Sequence, residues 1–323
     1  MTTKKTGVLL VNLGSPTKPT TAAVRRFLKE FLWDPRVVNL PRPLWWLILN
    51  FFVLPTRPRR SFLAYRKVWD EKGSPLIYLT RQLREKVAAR LAAQGIGVRD
   101  AMRYGEPTIA EQLRAFKEEG VDSLVILPLY PQYSSTTTAS VFDAVADELK
   151  QWRHIPKIRF ISDYYGDPGY IAAVAKSIEH NWHLRGRQQL LLMSFHGLPE
   201  VLSKWGDPYF EHCRQTAASI AKQLALQEHE WRMVFQSRFG KAEWLKPYCL
   251  DTLQALPGQG IKTVDMVCPG FAVDCLETLE EIAIANKEEF IKAGGSAYHY
   301  IPALNDSDAH ADVIINLLEQ KLG

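Results

Sequence analysis

The sequence predicts an α/β fold built from two doubly wound parallel sheets. Short apolar runs that end at glycine or proline, such as residues 7–13 and 190–195, are typical of strands buried on both faces. Segments with helical spacing of apolar residues follow these runs, and this alternation of strand and helix indicates parallel sheets. The alternation runs through the chain twice without a sequence repeat, so we expect two domains of the same kind.

The first domain is expected to span residues 1–165. Its strands are predicted at 7–13, 99–105 with a turn, 123–134 and 159–161, and its helices near 19–31, 79–93, 109–119 and 136–152. A threonine at position 20 or 21 supplies the N-cap oxygen of the first helix. A buried strand followed by an amphipathic helix is the usual start of an α/β domain.

The second domain is expected to span residues 166–305, with the junction near 162–169. Its strands are predicted at 190–195, 232–237, 263–268 and 298–301, and its helices at 170–184, 209–225, after Pro247 and at 275–293. A last helix at 309–322, within a tail of residues 306–323, is expected to pack back on the first domain.

Composition describes an ordinary enzyme. The 323 residues are 46% hydrophobic, which is enough for two cores, and the net charge of +5 comes from scattered lysines and arginines that do not predict nucleic-acid binding. The four cysteines form no CxxC pair, which argues against a zinc knuckle and fits a reducing compartment. A polar N-terminus without an apolar run behind it predicts no signal peptide, so we expect a cytoplasmic protein.

The segment from Leu44 to Leu54 is intensely apolar and is followed by Arg57, Arg59 and Arg60. As a helix, the 11 residues between Pro43 and Pro55 would cover about 16 Å, roughly half of a bilayer core, so the segment cannot span a membrane. A buried core helix, an interfacial membrane anchor and a mobile lip over a large flat apolar ligand all fit this composition. Trp45 and Trp46, with the arginines behind them, favour a lip that meets lipid or ligand.

His196 directly follows a strand that is expected to be buried, where an open parallel sheet faces its ligands. The alternative for a lone histidine is a hydrogen bond that caps the strand end. Far downstream, Glu277 and Glu281 share one helical face, and two like charges there cost stability unless a cation or a proton offsets them. A histidine and paired carboxylates indicate a site that handles a divalent metal or protons.

Six motifs together resemble those of the bacterial ferrochelatases, and the resemblance covers nearly the whole chain. They are VNLGSP at 11–16, LYPQYS at 129–134, SFHGLP at 194–199, GDPY at 206–209, FQSRFG at 235–240 and DCLETL at 274–279. The resemblance implies two Rossmann-like domains with an active-site cleft between them, a chelatase-like fold. It implies an enzyme that inserts Fe²⁺ into protoporphyrin IX to give protohaem, with His196 and Glu277 as the catalytic and iron-handling residues and the segment around Trp45 as a lip.

Two positions depart from the animal enzymes of that family. Those enzymes carry a [2Fe–2S] cluster, whereas this chain ends at Gly323 and has Ser135 at a cluster-ligand position, so no cluster and no tightly bound cofactor is expected. Cys275 stands where the animal enzymes have a second histidine, which counts against a two-histidine mechanism. We expect a monomer. Peripheral contact with the membrane is an alternative that the sequence leaves open.

Metal insertion removes two pyrrole protons and strips water from the metal. His196 can act as base or as iron ligand but not as both at one instant, while Glu277 can hold the cation or accept protons. Glu281 and Asp274 would pass protons outward, and crowding should raise the pKa of at least one of these carboxyls.

Apolar walls are needed to bend the planar macrocycle, and cations are needed to meet its propionates. The candidate walls are Leu13, Tyr104, Tyr130, Trp244 and Phe271, and the candidate cations are Arg59, Arg60 and Arg103. The aromatic and aliphatic candidates could equally be core residues, and the first two arginines could be solvated. Three rival functions remain at this point: a cobalt or nickel chelatase, a coproporphyrin enzyme, and a tetrapyrrole carrier without catalysis.

Overall fold

Eight parallel strands form two four-stranded sheets in the computed structural model, which describes residues 5–240 and 242–322. By their internal contacts, these residues divide into two units. The first unit holds the described residues up to Leu129, Ser134–Asp163 and those from Ile314 onward. The second unit holds Tyr130–Tyr133 and Tyr164–Val313. The predicted α/β class with two parallel sheets is confirmed.

The first sheet has the strand order β2-β1-β3-β4. Its strands are β1 (Thr6–Asn12), β2 (Gly97–Met102), β3 (Ser123–Pro128) and β4 (Lys157–Phe160). The central strand β1 pairs with β2 and β3 in parallel register, and its residues Val8 to Val11 are fully buried. Burial on both faces explains why this strand is a continuous apolar run.

The first unit contains the four helices predicted near 19–31, 79–93, 109–119 and 136–152, and further helical segments over 42–68 that were not among them. All of them, in chain order, are α1 (Thr21–Trp33), α2 (Arg42–Ile48), a first π-helical segment (Leu49–Val53), α3 (Leu54–Val68), α4 (Pro75–Leu91) with a 3₁₀ turn (Ala92–Gln94), α5 (Ile109–Glu118) and α6 (Thr138–Leu149). The Thr20 side chain accepts a hydrogen bond from the Ala23 N–H and so caps α1, as expected.

The second sheet has the order β6-β5-β7-β8. Its strands are β5 (Leu190–His196), β6 (Trp231–Gln236), β7 (Thr263–Val267) and β8 (Ala297–Ile301). Its helices are α7 (Pro168–Arg185), α8 (Glu200–Lys204), α9 (Tyr209–Gln223), α10 (Cys249–Ala255), a second π-helical segment (Glu277–Asn286) and α11 (Lys287–Lys292), with 3₁₀ turns at Glu228–Glu230 and Pro257–Gln259. The chain closes with α12 (Asp308–Leu322).

The helix expected over residues 275–293 is in fact π-helical along most of its length. The prediction of a helix holds, but its π-helical period was not predicted, because apolar spacing alone does not distinguish one helical period from a slightly wider one. The short helix α8, which follows the His196 strand, was not predicted at all.

The apolar segment 44–54 does not end at Pro55 but continues into α3. Pro55 is the second residue of α3 and has no backbone N–H to donate to the preceding π-helical segment, so the helix changes its hydrogen-bonding pattern there. The two tryptophans have opposite environments: Trp45 is 8% exposed and donates its indole N–H to the Leu32 carbonyl at 2.7 Å, whereas Trp46 is 49% exposed. The expectation that both belong to a lip is therefore wrong for Trp45, which anchors the segment.

Candidate active site

His196 is the last residue of β5, and its side chain is half-buried. Its Nδ1 lies 2.7 Å from the carbonyl oxygen of Gly197 and donates to it, so Nε2 is the ring nitrogen left for other partners. Gly197 is required here because an added Cβ would lie 2.7 Å from the Gln236 carbonyl oxygen. The strand end therefore presents Nε2 of His196 as a candidate base or metal donor.

Glu281, on the second π-helical segment, is bound at both carboxylate oxygens. Oε1 accepts the Ser237 N–H at 2.7 Å, and Oε2 accepts a short hydrogen bond from the Ser237 hydroxyl. Burial raises the pKa of Glu281, the bonds from Ser237 and the nearby His196 oppose the rise, and the charge of Glu277 adds to it. The predicted rise in a carboxyl pKa is thus found at Glu281, a group suited to taking up and releasing protons.

Glu277 begins the same π-helical segment and is half-buried. Its backbone carbonyl accepts a hydrogen bond from Gln236 Nε2 at 2.9 Å. Burial raises the pKa of the neighbouring Cys275 thiol well above its ordinary value, and the Glu277 side chain adds to the rise. The sulfur beside Glu277 is therefore a neutral thiol.

Asp274 has a different environment from the two glutamates. It is buried, and its carboxylate accepts hydrogen bonds from Tyr300, from Thr278 at 2.9 Å and from Asn305 at 2.8 Å. Such complete pairing anchors the turn before the π-helical segment. The arrangement does not favour the proton path predicted for Asp274.

Gln236 and Ser237 are functional residues that the sequence reasoning missed. The sequence analysis named them only as part of the FQSRFG motif at 235–240. A polar pair at the end of a buried strand is the pattern that could have identified them. Gln236 is buried, accepts a hydrogen bond from Ser194 Oγ at 2.8 Å and holds the first residue of the π-helical segment. It thus ties β5 and β6 to the helix that carries the two glutamates.

The three side chains of the second unit that were predicted to line the macrocycle differ in how far they are buried. Phe271 packs half-buried against the apolar core of that unit, and Tyr130 is half-buried. Trp244 is only 5% exposed and lies behind Phe239, with ring centroids 5.1 Å apart, and Phe239 is 52% exposed. The assignment of Trp244 as an exposed wall is therefore corrected: it is the support behind an exposed phenylalanine.

The candidates in the first unit divide in the same way. Leu13 is half-buried at the end of β1, and Arg59 and Arg60 are exposed on α3. Tyr104 is 1% exposed and donates to Asp34 at 2.8 Å, so it is a core residue and not a wall. Arg103 is paired with Asp34 at 2.6 Å and bonded to Ser140, which corrects its assignment as a free cation for propionates.

Within the described residues, no group of three or more histidine, cysteine, aspartate or glutamate side chains is arranged to hold a metal ion. Across the same residues, every helix is too short or too polar to cross a bilayer. His196, Glu277 and Glu281 all lie in the second unit, and His196 and Glu277 both influence the pKa of Glu281.

Comparison with known proteins identifies the sequence family. A family model described as Ferrochelatase matches residues 5–322. A protein named Ferrochelatase from Methylococcus capsulatus is 58% identical over 99% of this chain and 98% of its own length. One of the same name from Aeromonas hydrophila is 50% identical over 99% of both chains.

Among solved structures, the sirohydrochlorin chelatase SirB from Bacillus subtilis subspecies spizizenii, in complex with cobalt, superposes with a TM-score of 0.57. It covers 98% of this chain and 94% of its own, at 11% identity. Identity at this level shows a shared fold alone.

Proposed function

Because this chain belongs to the ferrochelatase family, we propose that His196 and Glu277 handle iron and that Glu281 takes up protons during metal insertion. The enzyme is a metal chelatase that inserts Fe²⁺ into protoporphyrin with release of two protons, the step that forms haem. The observation that carries the assignment of residues is that His196 leaves Nε2 without a backbone partner near a carboxyl group, Glu281, whose pKa burial raises.

The proton balance requires two acceptors, one for each pyrrole N–H. Nε2 of His196 takes a proton from the macrocycle and becomes an imidazolium, whose charge the nearby Glu281 carboxylate stabilises. Proton transfer to Glu281 then restores the neutral imidazole for the second pyrrole proton. A carboxyl group with a raised pKa accepts a proton more readily near neutral pH than an ordinary one does.

Glu277 supplies an oxygen donor for the incoming Fe²⁺. A single carboxylate, helped by one imidazole, leaves most coordination positions of the ion open, so the ion is held weakly and can pass to the four nitrogens of the porphyrin. The neutral Cys275 thiol next to it adds no second negative charge that would retain the metal. Weak binding suits a metal ion that is a substrate, because the ion must leave the protein for the porphyrin.

We also propose that the exposed face of the segment 42–68 contacts lipid or the edge of the apolar substrate. Leu44, Trp46, Leu47, Phe51, Phe52 and Leu63 are all large, apolar and exposed on this segment. Arg59 and Arg60 are exposed on the same segment and are suited to lipid phosphates or to propionates. Leu13 and Phe271, both half-buried, remain the proposed apolar contacts of the macrocycle.

A [2Fe–2S] cluster forms no part of this proposal. The four cysteines are individually buried free thiols at positions 213, 249, 268 and 275. Iron and acid-labile sulfide in the purified protein, together with its visible spectrum, test this point.

The experiment that tests the function measures metal insertion by wild type and His196→Ala, with Fe²⁺, Co²⁺, Ni²⁺ and Zn²⁺ against protoporphyrin and coproporphyrin. We expect wild-type turnover with Fe²⁺ and protoporphyrin and a loss of about a thousandfold or more in the variant, which should keep the wild-type melting temperature. Near-normal turnover by His196→Ala would remove this residue from the mechanism. A wild-type preference for another metal or for coproporphyrin would change the substrate assignment.

A further inference from the structure

Ser237 has a backbone conformation that is unusual for a residue with a side chain. Its φ angle is +66°, and only Ala225 and Asn305 among the other described non-glycine residues have positive φ. The left-handed region costs about 1 kcal/mol for such a residue. A cost of this kind persists only when the surrounding structure holds the residue in place.

The contacts of Ser237 explain the conformation. Directly after β6 ends, the left-handed turn directs both the N–H and the hydroxyl of one residue to the two oxygens of the Glu281 carboxylate. Two donors on an ionised carboxylate make charge-assisted hydrogen bonds, which are stronger than neutral ones. Ser237 therefore acts as a two-point clamp on Glu281.

Hydrogen bonds of the preceding residue, Gln236, fix the position of Ser237. Gln236, the preceding residue, is buried, and its Oε1 accepts from Ser194 on β5 at 2.8 Å and from the Cys268 thiol at 3.6 Å. Its Nε2 donates to the Glu277 carbonyl at 2.9 Å and lies 3.5 Å from Glu281. Since Gln236 is fixed to β5 and to the helix start together, the position of Ser237 relative to Glu281 is fixed as well.

The other two residues with positive φ differ from Ser237. Asn305 donates to Asp274, which is fully paired in an internal network, and Ala225 has only a methyl side chain in the turn after α9. Of the three, Ser237 alone bonds to a carboxylate of the proposed reaction centre. Ala225 therefore offers a control for the backbone conformation by itself.

We infer that Ser237 is a positioning residue for metal insertion, which holds the Glu281 carboxylate in the orientation that serves His196. This inference rests on the role proposed for Glu281. A held carboxylate needs no search through its rotamers at each proton transfer, so the benefit appears in turnover and not in binding of the porphyrin.

The test is a double-mutant cycle on the full-length enzyme, with Fe²⁺ and protoporphyrin as substrates. Ser237→Ala, Glu281→Gln and their combination are compared for kcat, for the KM of porphyrin and for melting temperature. We expect Ser237→Ala to lower kcat about tenfold with KM changed less than about twofold, and the double variant to equal Glu281→Gln within about twofold. Such non-additivity would not arise if Ser237 only stabilised the fold.

Two controls and a second variant complete the test. Ser296→Ala removes an exposed hydroxyl that bonds only a carbonyl, and Ala225→Gly relaxes a left-handed residue elsewhere; both should keep wild-type kcat. Ser237→Gly accepts the positive φ without strain and still lacks the hydroxyl, so it should also lose turnover even if Ser237→Ala fails to fold.

The outcomes separate this inference from the proposed function. If Glu281→Gln keeps wild-type turnover, the role proposed for Glu281 fails and the inference fails with it. If Glu281→Gln is impaired while the Ser237 variants keep wild-type turnover, or if the two effects multiply in the double variant, only the role of Ser237 is overturned.

Discussion

The carboxyl ends of the two sheets are built alike but use their polar side chains differently. After β2, Arg103 and Tyr104 are bonded to Asp34 and Ser140, so the polar groups satisfy one another. At the end of β5, His196 uses only Nδ1 in a hydrogen bond and leaves Nε2 available, and nearby burial raises the pKa of Glu281. Paired groups stabilise a fold, whereas groups with a remaining acid or base function can do chemistry.

This difference predicts that variants of the second sheet end lose activity and that variants of the first lose stability. Mutations that break this rule would show that the two ends are not specialised in this way.

The largest effect is expected for Glu277→Gln, which keeps the shape and removes the charge. Turnover should fall about a thousandfold with porphyrin affinity little changed, because the loss concerns metal or protons. Steady-state insertion kinetics and porphyrin binding by fluorescence quenching measure the two quantities. A drop in porphyrin affinity alone would make Glu277 a binding residue.

Trp45→Ser should produce the largest loss of stability, about 4 kcal/mol, since it removes a buried ring and a buried hydrogen bond. Its neighbour supplies the matched control: Trp46→Ser should change the free energy of unfolding by less than about 0.5 kcal/mol. It should instead weaken association with anionic vesicles about tenfold, as loss of an apolar contact would. Equal destabilisation by the two variants, with unaltered vesicle binding, would refute an exposed lipid-facing surface.

Asp34→Asn tests the paired end of the first sheet. We expect a loss of about 3 kcal/mol in urea unfolding, because Arg103 and Tyr104 lose a buried charged partner. Asp143→Asn breaks the exposed Arg36–Asp143 pair of the same unit and should cost less than about 1 kcal/mol. If the Asp34 variant kept its stability and lost turnover, this network would belong to the chemistry.

The smallest effect concerns His310, a titratable group of the second unit outside the proposed site. Burial lowers the pKa of His310 to about 4, and its Nδ1–H donates to the Asn305 carbonyl at 2.6 Å. The unfolded chain binds the proton near pH 6.5 and the folded chain only near pH 4, so stability is complete above about 6.5 and falls as pH drops towards 4. In His310→Gln the loss between pH 7 and pH 5 should shrink by about 2 kcal/mol. An unchanged pH dependence of urea unfolding would contradict this assignment.

The strands could be predicted from the sequence because their burial is a property of continuous runs. Residues 8–11 and 190–193 are apolar throughout, and no choice of face has to be made. His196 could be proposed from the sequence because a motif and a strand end coincide there, and Glu277 because it lies in a motif four residues before a second glutamate.

Other features could not be predicted, since they depend on which way one side chain turns. Trp45 and Trp46 are adjacent and chemically identical, yet about 100° of helical rotation separates a buried ring from an exposed one. Tyr104 and Trp244 follow strands as true ligand contacts do, but their rings turn into the protein. The left-handed backbone of Ser237 leaves no trace in the sequence, because serine is common in turns and its presence does not show that φ is positive.

The π-helical segment from Glu277 to Asn286 has a consequence for how this family should be compared. Its hydrogen bonds span five residues instead of four, so the direction of every side chain depends on how many residues the segment contains. Deleting any one residue between Glu277 and Glu281 would leave both glutamates in the sequence but rotate one relative to the other by one residue's share of a helical turn. Relatives that retain both glutamates at a different spacing would therefore have the same residue types at the site, but the two side chains would point in different directions.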